Sequence, residues 1–182
     1  MPLAFVGLSG VLYHKVNAVE RPTFRKSERG RNIVMIALAC DHTGIELKQE
    51  IMKLLDSMGL AWKDFGNNEH CSDDYPIFGY RAAKAVASGE CDRGILICGT
   101  GVGIGIAAGK VKGIRVCTCS DPYTARLSKM HNNSQILTMG ARVVGPELAK
   151  MIATEWLTAE FEGGRHQRRI DMLTAIENGE EL

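Results

Sequence analysis

What this 182-residue sequence lacks removes several classes of function. No apolar stretch approaches the roughly 18 residues of a membrane span, so no membrane association is expected. Neither sign of charge dominates: 22 Lys and Arg against 21 Asp and Glu leave +1. No overall field therefore draws the chain to nucleic acid or to an anionic surface. No Cys-x-x-Cys pair occurs among Cys40, Cys71, Cys91, Cys98, Cys117 and Cys119. A chain of this length builds a core without disulfide staples, so reduced thiols in a cytoplasmic protein are expected. Cys117 and Cys119 alternate on a strand and face one way; they read as small buried apolar residues, not as a metal pair. No other His, Cys or carboxylate spacing fits a metal, so neither metal nor cofactor is expected. What is present is ordinary: 45% apolar and 24% charged residues suit one globular domain.

Residues 1–32 stand apart. Met1 to Leu12 is mildly apolar, and Glu20 to Arg31 is polar and basic. A signal peptide places its charge first, and a transit peptide avoids acids such as Glu20 and Glu28. The segment reads as a disordered extension of the kind an upstream start codon adds. Val34 or Met35 would be the natural alternative start. His14 carries no assigned role. The single domain is expected over 33–182.

From Ile33 the pattern is regular. Apolar strand-type runs fall at 33–40, 60–65, 94–98, 114–119 and 135–139. Helical spacing falls at 45–58, 78–87, 102–110, 122–131, 146–159 and 165–177, with Asp121 as a cap before Pro122. Strands alternating with helices predict a Rossmann-like, doubly wound α/β domain. Its five-stranded parallel sheet carries helices on both faces. Ligands in such folds bind beyond the carboxyl ends of the strands. That rule gathers Asp41-His42, Cys98–Gly105, Ser120-Asp121 and Gly140-Ala141-Arg142. His131-Asn132 ends a helix instead, and the last helix has no strand after it.

Cys98 is the most informative residue. It ends a strand and opens Gly99-Thr100-Gly101-Val102-Gly103-Ile104-Gly105. A thiolate takes a proton or attacks carbon. Side-chain-free amides beside it hold phosphate or a developing oxyanion. A Cys-x5-Arg phosphatase loop fails at Ile104, and a P-loop fails at Gly109-Lys110-Val111. Gly103-Ile104-Gly105-Ile106-Ala107-Ala108 fits GxGxxA, which keeps a non-catalytic nucleotide-binding module open as a rival.

Other residues weigh against blander readings. His42 beside Asp41 suits a phosphate or hydroxyl ligand, or a surface position. His131-Asn132-Asn133 suits a helix C-terminus. Arg165 and Arg169 share a helix face and suit either a solvated surface or a bidentate phosphate clamp.

Taken together, Cys40-Asp41-His42, Asp74-Tyr75-Pro76, Gly94 to Ile104, His131-Asn132, Gly140 to Gly145 and Glu162-Gly163-Gly164-Arg165-His166 identify the pattern. From about Ile33 to Glu177 the chain resembles the type B ribose-5-phosphate isomerase family, which also contains the galactose-6-phosphate isomerase subunits. The resemblance implies interconversion of ribose 5-phosphate and ribulose 5-phosphate through an enediolate. It implies Cys98 as the base that moves the proton and His131 as the ring-opening acid and base. The amides of Gly99, Thr100, Gly101, Val102 and Gly103, with the Thr100 hydroxyl, would hold the enediolate oxygens. Asp41, His42, Tyr75 and Asn132 would touch substrate. Arg142, Arg165 and Arg169 would bind phosphate. It also implies a homodimer, or a tetramer, whose sites are shared because the last helix packs on a neighbour. A hexose 6-phosphate (allose or galactose) is the alternative substrate. Thr43, Gly105 and Gly109 stand where many relatives carry Gly, Ser and Asn.

Overall fold

Near-continuous apolar runs make the central strands of a parallel sheet, buried on both faces, and shorter strands flank them on either side. The computed structural model describes Phe5–Val6, Leu12–Tyr13 and residues 34–69 and 72–182. The strands are β1 (Phe5–Val6), β2 (Leu12–Tyr13), β3 (Met35–Cys40), β4 (Ala61–Asp64), β5 (Arg93–Cys98), β6 (Val116–Thr118) and β7 (Ile136–Gly140). The helices are α1 (Ile45–Ser57), α2 (Tyr75–Ala87), α3 (Val102–Ala108), α4 (Pro122–Asn132), α5 (Pro146–Thr158) and α6 (Arg165–Glu177). The sheet order is β1-β2-β4-β3-β5-β7-β6, and every pairing from β4 to β6 is parallel.

The expected five-stranded parallel sheet is therefore present, with one addition. β1 and β2 join antiparallel outside β4, with Tyr13 opposite Lys63. An unpaired sheet edge offers a free row of backbone donors and acceptors, and β2 takes up part of it. Apart from these two strands, the expectation of disorder over 1–32 lies outside the described residues, as do His14 and Cys71.

Two cores flank the sheet. One packs Ile51 and Leu55 of α1, Ala125 of α4 and Ile152 and Trp156 of α5 against Leu38, Ile95 and Leu137. The other packs Phe78 and Ala82 of α2 and Ile104 and Ala108 of α3 against Ala37, Leu96 and Ile136. Trp156 is fully buried, and its indole N–H donates to Ser134 Oγ at 2.8 Å, so burial leaves no donor unsatisfied.

One helix starts earlier than the apolar spacing indicates. α2 begins at Tyr75, with Asp74 before it and Pro76 in the first turn. Proline's fixed φ suits that position, and the first-turn amide it lacks has no partner within the helix. Asp121 caps α4 as expected, accepting from the Thr124 amide at 2.7 Å. α6 packs on α4 and leaves Met172, Leu173 and Ile176 exposed.

Candidate active site

The strand order reverses direction between β3 and β5, so their carboxyl ends open a crevice there. β3 delivers Cys40-Asp41-His42 to it and β5 delivers Cys98. The Asp41 amide donates to Ile97 O at 3.2 Å, tying the two together. Cys98 is 4% exposed, and its Sγ accepts from the Gly101 amide at 3.2 Å. Gly101 has φ +79°, and a Cβ there would meet the Met139 backbone at 2.7 Å. Only glycine combines that left-handed conformation with so close an approach. The loop is thereby wedged between β5 and β7. Thr100 Oγ1 accepts from the Val102 amide at 3.3 Å, which holds Thr100 at the start of α3.

The neighbours converge on this loop. A Cβ at Gly103 would meet the Tyr75 ring at 2.7 Å, so the early start of α2 lays Tyr75 over the loop. A Cβ at Gly99 would meet Arg142 Cδ at 3.7 Å, so Arg142 lies alongside. Asp41 Oδ1 accepts from the Thr43 amide at 2.8 Å and from its hydroxyl at 2.6 Å. His42 Nδ1 is buried without a hydrogen-bond partner. A buried polar atom left unpaired is costly, and a bound hydroxyl or phosphate oxygen relieves that cost.

His131 does not join this group within one chain. α4 runs back along the sheet, so its last turn lies at the amino edge. There Arg115, just before β6, donates to Asn132 O at 2.8 Å and Asn133 O at 3.1 Å. Gly94 and Ile136, at the starts of β5 and β7, pair at that same edge. Gly94 lies four residue steps before Cys98, roughly 13 Å along the sheet. The helix ends as expected, with Asn133 left-handed at φ 44°.

The amino edge holds its own cluster. The His131 and His166 rings stack with centroids 4.2 Å apart and planes 2° apart. Glu162 Oε2 lies 3.8 Å from His131 Nε2 and 3.4 Å from His166 Nε2. The Glu162 amide donates to Met130 O at 3.0 Å, fixing the turn into α6 against α4. Arg165 and Arg169 extend from the first turns of α6, both exposed. Burial, then the charges of His131 and Arg165, push the His166 imidazole below its ordinary range. Sequence reasoning assigned Glu162 and His166 no role, although their i, i+4 spacing was available.

Among the described residues, His131, Glu162 and His166 also form one group whose ligand atoms lie within 4.8 Å of each other. Parallel rings aim their lone pairs side by side, not at a common point. Arg165 Nε already donates to His166 Nε2 at 3.3 Å. The group pairs charge more readily than it chelates.

The dinucleotide frame fails on placement. Gly103 to Ala108 lies inside α3, with Gly103 against Tyr75. A Cβ at Gly105 would meet the Thr118 and Thr138 hydroxyls at 3.1 Å, and those two hydroxyls are 2.8 Å apart. These glycines make room for side chains, not for a pyrophosphate.

Residues 36–173 match the model of the Ribose/Galactose Isomerase family. The chain belongs to that family of sugar-phosphate isomerase folds. It is 54% identical over 142 residues to ribose-5-phosphate isomerase B of Escherichia coli (strain K12), covering 78% of this chain and 95% of that protein. The solved ribose-5-phosphate isomerase B of Clostridium thermocellum superposes with a TM-score of 0.79 at 51% identity, covering 80% of this chain and 99% of the other. That of Mycoplasma genitalium with bound ribulose-5-phosphate has a TM-score of 0.76 at 41% identity, covering 80% and 97%.

Proposed function

We propose that this chain is a ribose-5-phosphate isomerase whose active site is completed by a second copy of itself. The observation that carries the reading is the division of the site. Cys98, the glycine loop, Asp41, His42, Tyr75 and Arg142 gather at the carboxyl edge. His131, Asn132, Arg165 and Arg169 gather at the amino edge. A two-fold dimer that sets one edge of each copy against the other edge of its partner makes two whole sites. Apolar residues flank both halves: Tyr75, Ile77, Val102 and Ile106 on α2 and α3, and Met172, Leu173 and Ile176 on α6. An exposed apolar run beside each half-site suits burial in such an interface.

The chemistry follows in order. The partner's arginines, Arg165 and Arg169, with Arg142, take the phosphate through charge-assisted hydrogen bonds. His131 gives a proton to the ring oxygen and accepts one from the C1 hydroxyl, which opens the furanose. Asp41, His42, Tyr75 and Asn132 hold the open chain through its hydroxyls. The Cys98 thiolate takes the proton from C2, which gives an enediolate and a neutral thiol. The amides of Gly99 to Gly103 and the Thr100 hydroxyl stabilise the enediolate oxygens, a type of contact worth about 3 kcal/mol each. A proton passes from the O2 hydroxyl to O1, and Cys98 returns its proton to C1, giving the ketose. Five free cysteines among the described residues suit a reducing, cytoplasmic setting, and none of those helices is long and apolar enough to cross a membrane.

The test is complementation. Cys98→Ala and His131→Ala are purified as inactive proteins, dissociated, mixed and reassociated. A mixed dimer holds one site with both changes and one site with neither. Random pairing then restores about a quarter of the wild-type turnover on ribose 5-phosphate. No recovery in demonstrated mixed dimers would put both residues in one chain's site and overturn the shared arrangement. Measured beside it, faster turnover of allose 6-phosphate would keep the mechanism and change the substrate.

A further inference from the structure

Cys117 and Cys119 take no part in the isomerase chemistry, and their geometry departs from that of inert core cysteines. β6 is the last strand of the sheet and pairs only with β7 among the described residues. The two cysteines point from it toward α4, where Cys119 joins the core with Ala125 and Cys117 packs beside it. Their Sγ atoms are 3.0 Å apart. Cys117 is only partly buried, whereas Cys119 is 3% exposed.

The pair shares one proton unequally. The hydrogen bond between the two thiols brings the Cys117 thiol down to about 7. The same bond, with burial, raises Cys119. Burial is the main cause that pushes Cys40 and Cys91, which have no thiol beside them, up to about 12. Cys117 is thus the accessible nucleophile, and Cys119 is the thiol beside it that can resolve an adduct.

We propose that Cys117 and Cys119 form a dithiol site that closes to an intramolecular disulfide by exchange with a low-molecular-weight disulfide. Two residues along a strand put Cα atoms about 6.6 Å apart. That lies inside the roughly 4.4–6.8 Å that disulfides span. Among the described residues nothing pairs with the strand's outer edge, so β6 can pucker to bring the sulphurs to bonding distance. The exchange runs in two steps. The Cys117 thiolate attacks one sulphur of the small disulfide, the S–S bond breaks, and one thiolate leaves and takes a proton. Cys119 then gives its proton to solvent and attacks Cys117 Sγ, expelling the second thiolate. Both cysteines are oxidised, and the small disulfide is reduced to two thiols. The ring forms at the start of α4, whose far end carries His131 and Asn132.

Trypsin gives a direct readout. Cleavage after Arg115 and Arg126 releases Val116 to Arg126, which holds Cys117 and Cys119 and no other cysteine. The full-length Cys98→Ala protein, which lacks the thiol assigned to catalysis, is incubated with oxidised glutathione. It is then alkylated with iodoacetamide and digested. The expected peptide is unalkylated and two hydrogens lighter than its reduced form, and dithiothreitol restores both alkylation sites. With Cys119→Ser added, one glutathione remains trapped on Cys117. With Cys117→Ser added, Cys119 carries none. Full alkylation of the peptide after glutathione treatment, or a stable glutathione on Cys117 with Cys119 present, would overturn the proposal.

Discussion

At the carboxyl edge, the thiol of Cys98 sits in a loop wedged by close backbone contacts and braced from behind. At the amino edge, His131 and Glu162 keep 33% and 44% of their side-chain surface open. The difference lies in what braces each end. Behind Asp41, the Lys48 ammonium is 1% exposed and spends its three donors on Asp64 Oδ2 at 2.7 Å, Asn67 O at 2.9 Å and Asn68 Oδ1 at 2.8 Å. The Asn67 amide in turn donates to Cys40 O at 2.9 Å. At the amino edge the braces are the Arg115 bonds to Asn132 and Asn133, partly open to water. One half of the site is rigid in a single chain. The other half is positioned by a peripheral helix, and in the proposed dimer it is the half a partner covers.

The largest expected effect falls on the rigid half. Cys98→Ala removes the only group proposed to move the carbon-bound proton, so kcat should fall by about 10²–10⁴. Substrate binding and melting temperature should stay near wild type, because the loop loses one weak sulphur acceptor for the Gly101 amide and keeps its close backbone contacts. A kcat within tenfold of wild type would remove Cys98 from the mechanism. Stability separates the two ends next. Lys48→Met leaves Asp64 charged and buried without its partner, which costs about 3–5 kcal/mol. Arg115→Ala loses hydrogen bonds at a solvated surface, about 1 kcal/mol. Urea unfolding of both variants measures the contrast, and equal losses would break it. Third, Arg165→Ala and Arg169→Ala should each raise KM about 10- to 100-fold with the fold intact, since each removes a charge-assisted phosphate contact. Unchanged KM in both would detach the amino edge from the substrate.

The half-site that is rigid is also the one legible in the sequence. Cys98, the glycine loop and Asp41-His42 are local features at the ends of apolar strands, and the rule for parallel sheets brings them together. The three central strands were legible for the same reason, because burial on both faces leaves an almost unbroken apolar run, and the flanking strands were marked by shorter apolar runs beside them. The start of α2 was less so. Its first turn carries no buried residue before Phe78, so apolar spacing misses it, although Asp74 and Pro76 mark it chemically. The added strands β1 and β2 are two residues each, too short for any periodicity. His131 was the hard case. Its sequence environment fits a helix C-terminus, and its edge depends on the helix running back along the sheet. Whether it meets Cys98 depends on a second chain. His166 stacks on His131 and Glu162 lies against both imidazoles, contacts across elements that no spacing within one element announces.

The smallest expected effect concerns pH and belongs to the amino edge. His166 has a folded-state pKa below its ordinary 6.5, from burial and from the charges of His131, Arg165 and Arg169, with Glu162 acting the other way. A depressed pKa means that the unfolded chain binds the proton more readily. The stabilisation is therefore fully present above about 6.5 and drains away as pH falls through the lower folded value. His166→Gln cannot take up that proton. The melting temperature of the wild type should drop more steeply than that of His166→Gln between pH 7 and pH 5. Acid-sensitive carboxylates elsewhere contribute equally to both proteins and cancel in the difference. Parallel curves would mean that the imidazole stack is as well solvated in the folded protein as in the unfolded chain. The amino edge would then have no more electrostatic organisation than an ordinary surface, and its geometry would have to come from the partner subunit alone.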